Sequence, residues 1–246
     1  MNIIDVSGVS KSFGGVKANT DISLTVEKGG ITGLIGPNGS GKTTLFNSIV
    51  GYHPIDGGSI KFEGQEISKM LVPEIARLGL LRTFQQTRIY GAMNCVQNML
   101  ISIPHRKLTL REAFQRNSKE DEDRAMHLLE FVGLYEKRFL RAGSLSFGQQ
   151  KLLEFAMALM NEPTVLLLDE PTAGINPTLI NGLIDRLKRA NTEFGITLFI
   201  IEHNMRVIMN MAEKIYCLAH GEMLASGTPA EIQDDQRVID AYLGAH

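Results

Sequence analysis

The chain has 246 residues, 43% of them hydrophobic and 21% charged, enough for one large domain or two small ones whose core needs no staples. A net charge of −2 gives no electrostatic ground for a nucleic-acid binder. Two cysteines, Cys95 and Cys217, stand far apart with no CxxC or Cys/His cluster, which argues against a disulfide framework or a zinc site and fits a reducing cytosol.

The N-terminus, MNIIDVSGVSKSF, has no basic region followed by a long apolar stretch, so no secretory signal is expected. No apolar run reaches the length of a membrane span. A soluble chain is expected, one that other subunits would have to hold at a membrane. The first thirty residues alternate apolar and polar positions around Gly14-Gly15, which predicts antiparallel strands. From Gly30 the pattern changes: ITGLIG reads as a short buried strand, GPNGSGK as a loop and TTLFNSIVG as a helix ended at Gly51.

Residues 93 to 149 differ in character. Charge and helical spacing dominate LREAFQRNSKEDEDRAMHLLEFVGL, with Ser118 and Asp121 as a capping box and Gly133 as a helix stop. The block ends at LSFGQQ, where Ser146 and Gln149 form a second capping pair before a long apolar helix. Glycine in a first helical turn is costly, so Gly148 needs a separate reason. Beyond it, TVLLLDE and TLFIIEH read as buried strands separated by amphipathic helices, followed by the hairpin IYCLAHGEMLASG. Such strands argue for a parallel sheet covered on both faces. One domain over residues 1–246 is expected, with a catalytic α/β lobe at 1–92 and 150–246 and an inserted helical subdomain at 93–149.

GPNGSGKT fits the phosphate-loop pattern between a strand and a helix. Its glycines let backbone amides turn toward phosphate oxygens at a helix N-terminus. Lys42 would reach the β- and γ-phosphates and the Thr43 hydroxyl would ligate Mg²⁺. In VLLLDE, two acids at the tip of a buried strand are costly as mere packing; Asp169 would hold Mg²⁺ through its water shell and Glu170 would polarise the attacking water. His203 leaves the next strand at the same end, where ligands of parallel sheets bind, and is a candidate γ-phosphate contact. Gln85 in RTFQQ could ligate Mg²⁺ or orient water, or be a solvated loop residue. Phe13 could stack on adenine, although an edge-strand aromatic is more often packing.

The ordered set GPNGSGKTT, RTFQQ, LSFGQQ, LLLDEPTAGIN and IIEH resembles the ATP-binding-cassette ATPases along essentially the whole chain. The resemblance implies a P-loop NTPase core with a mainly parallel sheet, an N-terminal antiparallel β subdomain and an inserted α-helical subdomain, with ATP and Mg²⁺ as ligands. It implies Phe13 on adenine, a phosphate loop of Gly36, Pro37, Asn38, Gly39, Ser40, Gly41, Lys42, Thr43 and Thr44, and a metal set of Thr43, Gln85 and Asp169. Glu170 would be the catalytic base and His203 the switch residue. Leu145, Ser146, Phe147, Gly148 and Gln149 would act on the nucleotide of a second ATP-binding subunit, with the Ser146 hydroxyl and the Gly148 amide as close contacts. Phe147 departs from the commonest LSGGQ, and Asn176 replaces a common aspartate.

AGINP and the C-terminal pattern look like the ATP-binding subunits of branched-chain amino-acid importers, where Asn176 is a subgroup mark. Urea or amide importers and lipopolysaccharide exporters share much of this pattern, and a soluble family member not tied to transport is a further alternative. The resemblance also implies two transmembrane permease subunits, an extracytoplasmic solute-binding protein acting indirectly, no nucleic-acid partner, a peripheral position on the inner face of the cell membrane, and a tail too short for an added regulatory domain.

Overall fold

The computed structural model describes residues 1–83, 89–103 and 118–243. Among them, ten strands form two sheets. Strand β1 (Asn2–Phe13) runs antiparallel to β2 (Val16–Glu27), with Phe13 opposite Val16 across the Gly14-Gly15 turn. Strand β4 (Gly57–Phe62) flanks the other side of β1, and β5 (Gln65–Glu66) completes the order β2-β1-β4-β5. The period-2 pattern that predicts these strands buries Ile4, Val6, Ile22, Leu24 and Val26, as expected of a sheet with one covered face.

The second sheet has the order β10 (Glu222–Gly227), β9 (Lys214–Ala219), β3 (Ile31–Ile35), β8 (Thr197–Ile201), β7 (Val165–Asp169), β6 (Leu80–Arg82). All its pairings are parallel except β10 with β9. Every residue of β3, β7 and β8 is buried, the reason these strands read as unbroken apolar runs. Strand β6 has only three residues and no periodic signal; its pairing with β7 defines it.

Helix α1 (Lys42–Ile49) lies in the core shared by the two sheets, with Leu45, Phe46 and Ile49 fully buried among Ile4, Val6, Leu24 and Phe199. Phe46 and Phe199 meet at 4.8 Å between ring centroids. Each such side chain contributes about 1.5–3 kcal/mol of burial, so the helix that follows the glycine-rich loop is anchored in the core.

The chain divides into two compact units. Unit 1 comprises Met1–Arg82, Thr164–Thr172 and Leu187–His246 and holds both sheets. It also holds α2 (Val72–Arg77), α7 (Met205–Met211), α8 (Pro229–Asp234) and α9 (Gln236–Leu243). Unit 2 comprises Thr83–Pro163 and Ala173–Arg186. Its helices α3 (Cys95–Ile101), α4 (Lys119–Phe131) and α5 (Phe147–Leu159) pack on one another, and each opens with a reciprocal capping box, at Asn94/Gln97, Ser118/Asp121 and Ser146/Gln149. Composition places the end of the helical block at residue 149. The compact unit continues through all of α5, because Leu153, Phe155 and Ala156 are buried in a helix that packs on α3 and α4. Helix α6 (Pro177–Phe194) has its first ten residues in unit 2 and the rest in unit 1.

Candidate active site

Six residues separate β3 from α1, and the backbone excludes a side chain at two of them, Gly36 and Gly41. Gly36 has φ +143° and Gly41 φ +97°. A Cβ on Gly36 would lie 2.1 Å from the Leu218 carbonyl oxygen, and one on Gly41 would lie 2.3 Å from that of Ala18. Gly41 is the N-cap of α1 and has no side chain with which to cap that helix. The first turn therefore offers backbone amides with a positive helix end and no capping oxygen in front of them, the geometry that binds anions. Asn38, Gly39 and Thr43 are exposed, whereas Ser40 and Lys42 are buried.

The Lys42 ammonium is held inside the loop. Nζ donates to Gly36 O at 2.8 Å, Pro37 O at 2.9 Å and Ser40 Oγ at 3.3 Å. Burial lowers its pKa from the usual lysine value, and the negative charges of Glu170 and Asp169 oppose that shift. The loop lysine and the two strand-end acids thus share one electrostatic site. From the other side, Gly36 N donates to Tyr242 Oη at 2.8 Å, so the C-terminal helix α9 braces the first residue of the loop.

Asp169 ends β7, with its carboxylate fully buried. Its Oδ2 accepts from Arg82 Nη2 at 2.6 Å, and Arg82 also donates to Asn47 Oδ1 on α1. The second oxygen, Oδ1, has no hydrogen-bond partner among the described residues. A buried carboxylate oxygen left without a donor is costly unless something else satisfies it. A hard cation with oxygen ligands fits that requirement, and the exposed Thr43 hydroxyl supplies a second donor of the type Mg²⁺ takes. Gln85, the third residue of the expected metal set, lies outside the described residues.

Glu170 occupies the left-handed region at φ +51°, a conformation that costs a non-glycine residue free energy and clusters at functional sites. Its amide donates to Ile201 O at 2.9 Å, tying it to β8. Its Oε1 lies 2.6 Å from His203 Nε2, at the exit of β8. The two residues singled out from the ends of adjacent strands are in direct contact.

Phe13 is 45% exposed, packed edge-on to His53 at 5.0 Å and with Lys11 Nζ 5.3 Å from its ring centroid. It is partly packed and partly available for stacking. In unit 2, Leu145 is buried and Phe147 exposed. Ser146 Oγ accepts from Gln149 N at 3.4 Å and Gln149 Oε1 accepts from Ser146 N at 3.1 Å. A Cβ on Gly148 would lie 3.3 Å from Leu179 Cδ1 and 3.7 Å from Ile175 Cγ2, so a side chain there would meet close packing within the unit and need the end of Leu179 to shift. Asn176 Oδ1 accepts from Thr178 N at 3.1 Å and Thr178 Oγ1 at 2.9 Å, fixing the turn into α6.

Three residues of the site are not singled out by sequence reasoning. Arg82 stands inside RTFQQ, but its partner Asp169 is 87 positions away. Tyr242 and Gly36 are 206 apart. Glu202, 2% exposed, is an acid at the tip of a buried strand, the same signal that points to Asp169 and Glu170.

A family model described as "ABC transporter" matches residues 19–173, and one described as "Branched-chain amino acid ATP-binding cassette transporter" matches residues 222–246. The chain is 40% identical over 250 residues to the high-affinity branched-chain amino acid transport ATP-binding protein BraF of Pseudomonas aeruginosa, covering 98% of each. It is 36% identical over 250 residues to the corresponding LivG protein of Salmonella typhimurium, again with 98% of each covered. It superposes with a TM-score of 0.88 on an ATP-binding cassette of an ABC transporter crystallised in an ADP conformation, at 33% identity and 99% coverage of both chains.

Proposed function

Because the chain belongs to the ATP-binding-cassette transporter family and is one of its ATPases, we propose that it is the subunit that powers a branched-chain amino-acid importer. Support for the solute comes from the full-length similarity to BraF and LivG proteins and from the match of residues 222–246. In this reading two chains of this kind, like or unlike, dock on two transmembrane permeases at the inner face of the membrane. A solute-binding protein acts from the other side. No described helix is long and apolar enough to cross a membrane, so docking would depend on those partners.

The site supports hydrolysis as follows. Amides of Lys42 to Thr44 receive the phosphates at the start of α1, and Lys42 turns from its loop carbonyls to the β- and γ-phosphate oxygens. Thr43, Asp169 through its water shell, and Gln85 would hold Mg²⁺, which would supply neutralisation of the phosphate charge. Glu170 takes a proton from water as the water oxygen bonds to the γ-phosphorus and the bond to the β-γ bridging oxygen breaks, giving ADP and phosphate. His203, in contact with Glu170, holds that carboxylate in place and faces the γ-phosphate. Phe13 stacks on adenine. The segment from Leu145 to Gln149 addresses the γ-phosphate of the partner subunit, with Asn176 in the adjoining turn.

The observation that carries this reading is the Glu170–His203 contact beside a buried aspartate oxygen that has no hydrogen-bond partner among the described residues. The charges of both acids are felt by the phosphate-loop lysine. Glu170→Gln keeps the shape of the base and removes its basicity. ATP should bind as in the wild type while turnover falls on the order of 10²- to 10⁴-fold. Full residual hydrolysis in this variant would exclude Glu170 as the base.

A further inference from the structure

We propose that Glu202 is a positioning residue that sets the contact between Glu170 and His203, a role that rests on the assignment of those two residues to ATP hydrolysis. Glu202 is the last residue before His203 and is buried. Its Oε1 accepts from Thr172 N at 3.0 Å and from the Thr172 hydroxyl. Its Oε2 accepts from His203 N at 3.1 Å and Asn204 N at 3.2 Å. Both oxygens are therefore used, each accepting two bonds, an arrangement that suits a carboxylate with no donor of its own.

These bonds close a small ring. The chain runs from Glu170 through Pro171 to Thr172, crosses to Glu202 through Oε1, passes to His203, and returns to Glu170 through the 2.6 Å side-chain contact. Glu170 enters that ring with a left-handed backbone, a conformation that persists only where surrounding structure over-determines it. The Glu170 amide bond to Ile201 O fixes one end of the turn, and Glu202 fixes the other. A single side chain thus bonds both strand-exit turns. Its charge strengthens the hold, because backbone amides of two turns point at one carboxylate and such charge-assisted bonds are the strong ones.

A carboxamide cannot replace this carboxylate. In Glu202→Gln one side of the group becomes an NH₂ facing either the Thr172 donors or the His203 and Asn204 amides, so one turn is released. Because Glu170 and His203 then lose their shared reference, turnover should suffer more than nucleotide affinity, which is held by the phosphate loop.

The test uses the full chain with histidine ring carbons labelled, the His203 signal being the one lost in His203→Ala. In the otherwise unaltered chain, Glu170→Gln removes the charge beside Nε2 and moves that signal. In the Glu202→Gln background the same substitution should move it by less than about half as much. The kcat of Glu202→Gln for ATP should fall on the order of 10- to 100-fold, with KM within about twofold. Thr172→Val removes one donor only and should give a smaller loss of the same kind, which keeps the proposal falsifiable if Glu202→Gln does not fold. A folded Glu202→Gln chain with unchanged kcat, or a His203 signal that still responds fully to Glu170→Gln, would overturn the proposal. If Glu170→Gln itself leaves turnover intact, the hydrolysis assignment fails. If Glu170→Gln stops turnover and Glu202→Gln does not, only the positioning role fails.

Discussion

Helix α1 starts behind Gly41, which has a left-handed backbone and no side chain, so the helix has no capping oxygen. Helix α5 starts behind Ser146, whose hydroxyl and the Gln149 side chain satisfy one amide each. Both starts carry glycine and both belong to motifs of the same family. The first leaves its amides for a ligand and takes its rigidity from outside, through Asn19 on Gly41 O and Tyr242 under Gly36. The second satisfies itself and keeps one group in reserve, because a hydroxyl that accepts from Gln149 N can still donate its own proton. An open anion site and a self-capped turn are different devices, and substitutions at the two should behave differently.

The largest contrast lies between the glycines themselves. Gly41→Ala combines a positive φ with a Cβ 2.3 Å from a backbone carbonyl oxygen that cannot rotate away. It should cost on the order of 3 kcal/mol and abolish nucleotide binding. Gly148→Ala meets only the end of a leucine side chain at 3.3 Å, and alanine favours the helix. Its stability should stay within about 1 kcal/mol of the wild type, read by denaturant unfolding. If its turnover nevertheless collapses with nucleotide binding intact, the bare Gly148 serves the partner's phosphate. Unchanged turnover would leave packing against Leu179 and Ile175 as the whole reason for the glycine.

A smaller effect is expected at the outside brace. Tyr242→Phe leaves the Gly36 amide without its acceptor and should cost about 1 kcal/mol near neutral pH. Burial pushes the Tyr242 phenol up to about 12, against the opposing effect of its bond to Gly36. A folded-state pKa above the ordinary value of 10.0 favours the neutral phenol in the fold. The stabilisation by Tyr242 is therefore complete below about pH 10 and is lost as pH rises from there toward 12. The stability difference between wild type and Tyr242→Phe should shrink over that window. A difference that stays constant through it would separate the brace from the phenol's ionisation.

What could be read from sequence divides along the same line. The loop between β3 and α1 was legible because its pattern is contiguous and set between a strand and a helix, and so was the Ser146/Gln149 box, a spacing of three. Strands β3, β7 and β8 were legible because burial on both faces writes itself as an apolar run. The groups that brace the site were not. Arg82 on Asp169, Tyr242 on Gly36 and Glu202 on Thr172 are contacts between distant segments, and local spacing carries no information about which strand ends meet. Glu202 had a usable signal, an acid closing a buried strand, that was masked by the histidine beside it. The second reason for Gly148 also needed coordinates, since nothing in LSFGQQ points to Leu179.

On the proposed function, α1 and not α5 holds this chain's own nucleotide. Equilibrium ATP binding to the full chain at concentrations where it is monomeric separates the two starts directly. Lys42→Ala loses the charge-assisted contacts to phosphate and should weaken binding on the order of 10- to 100-fold. Ser146→Arg should leave this affinity unchanged while blocking ATP-driven dimerisation on a sizing column. Binding weakened as strongly by Ser146→Arg as by Lys42→Ala would place the self-capped turn in the chain's own nucleotide site, against the proposed function.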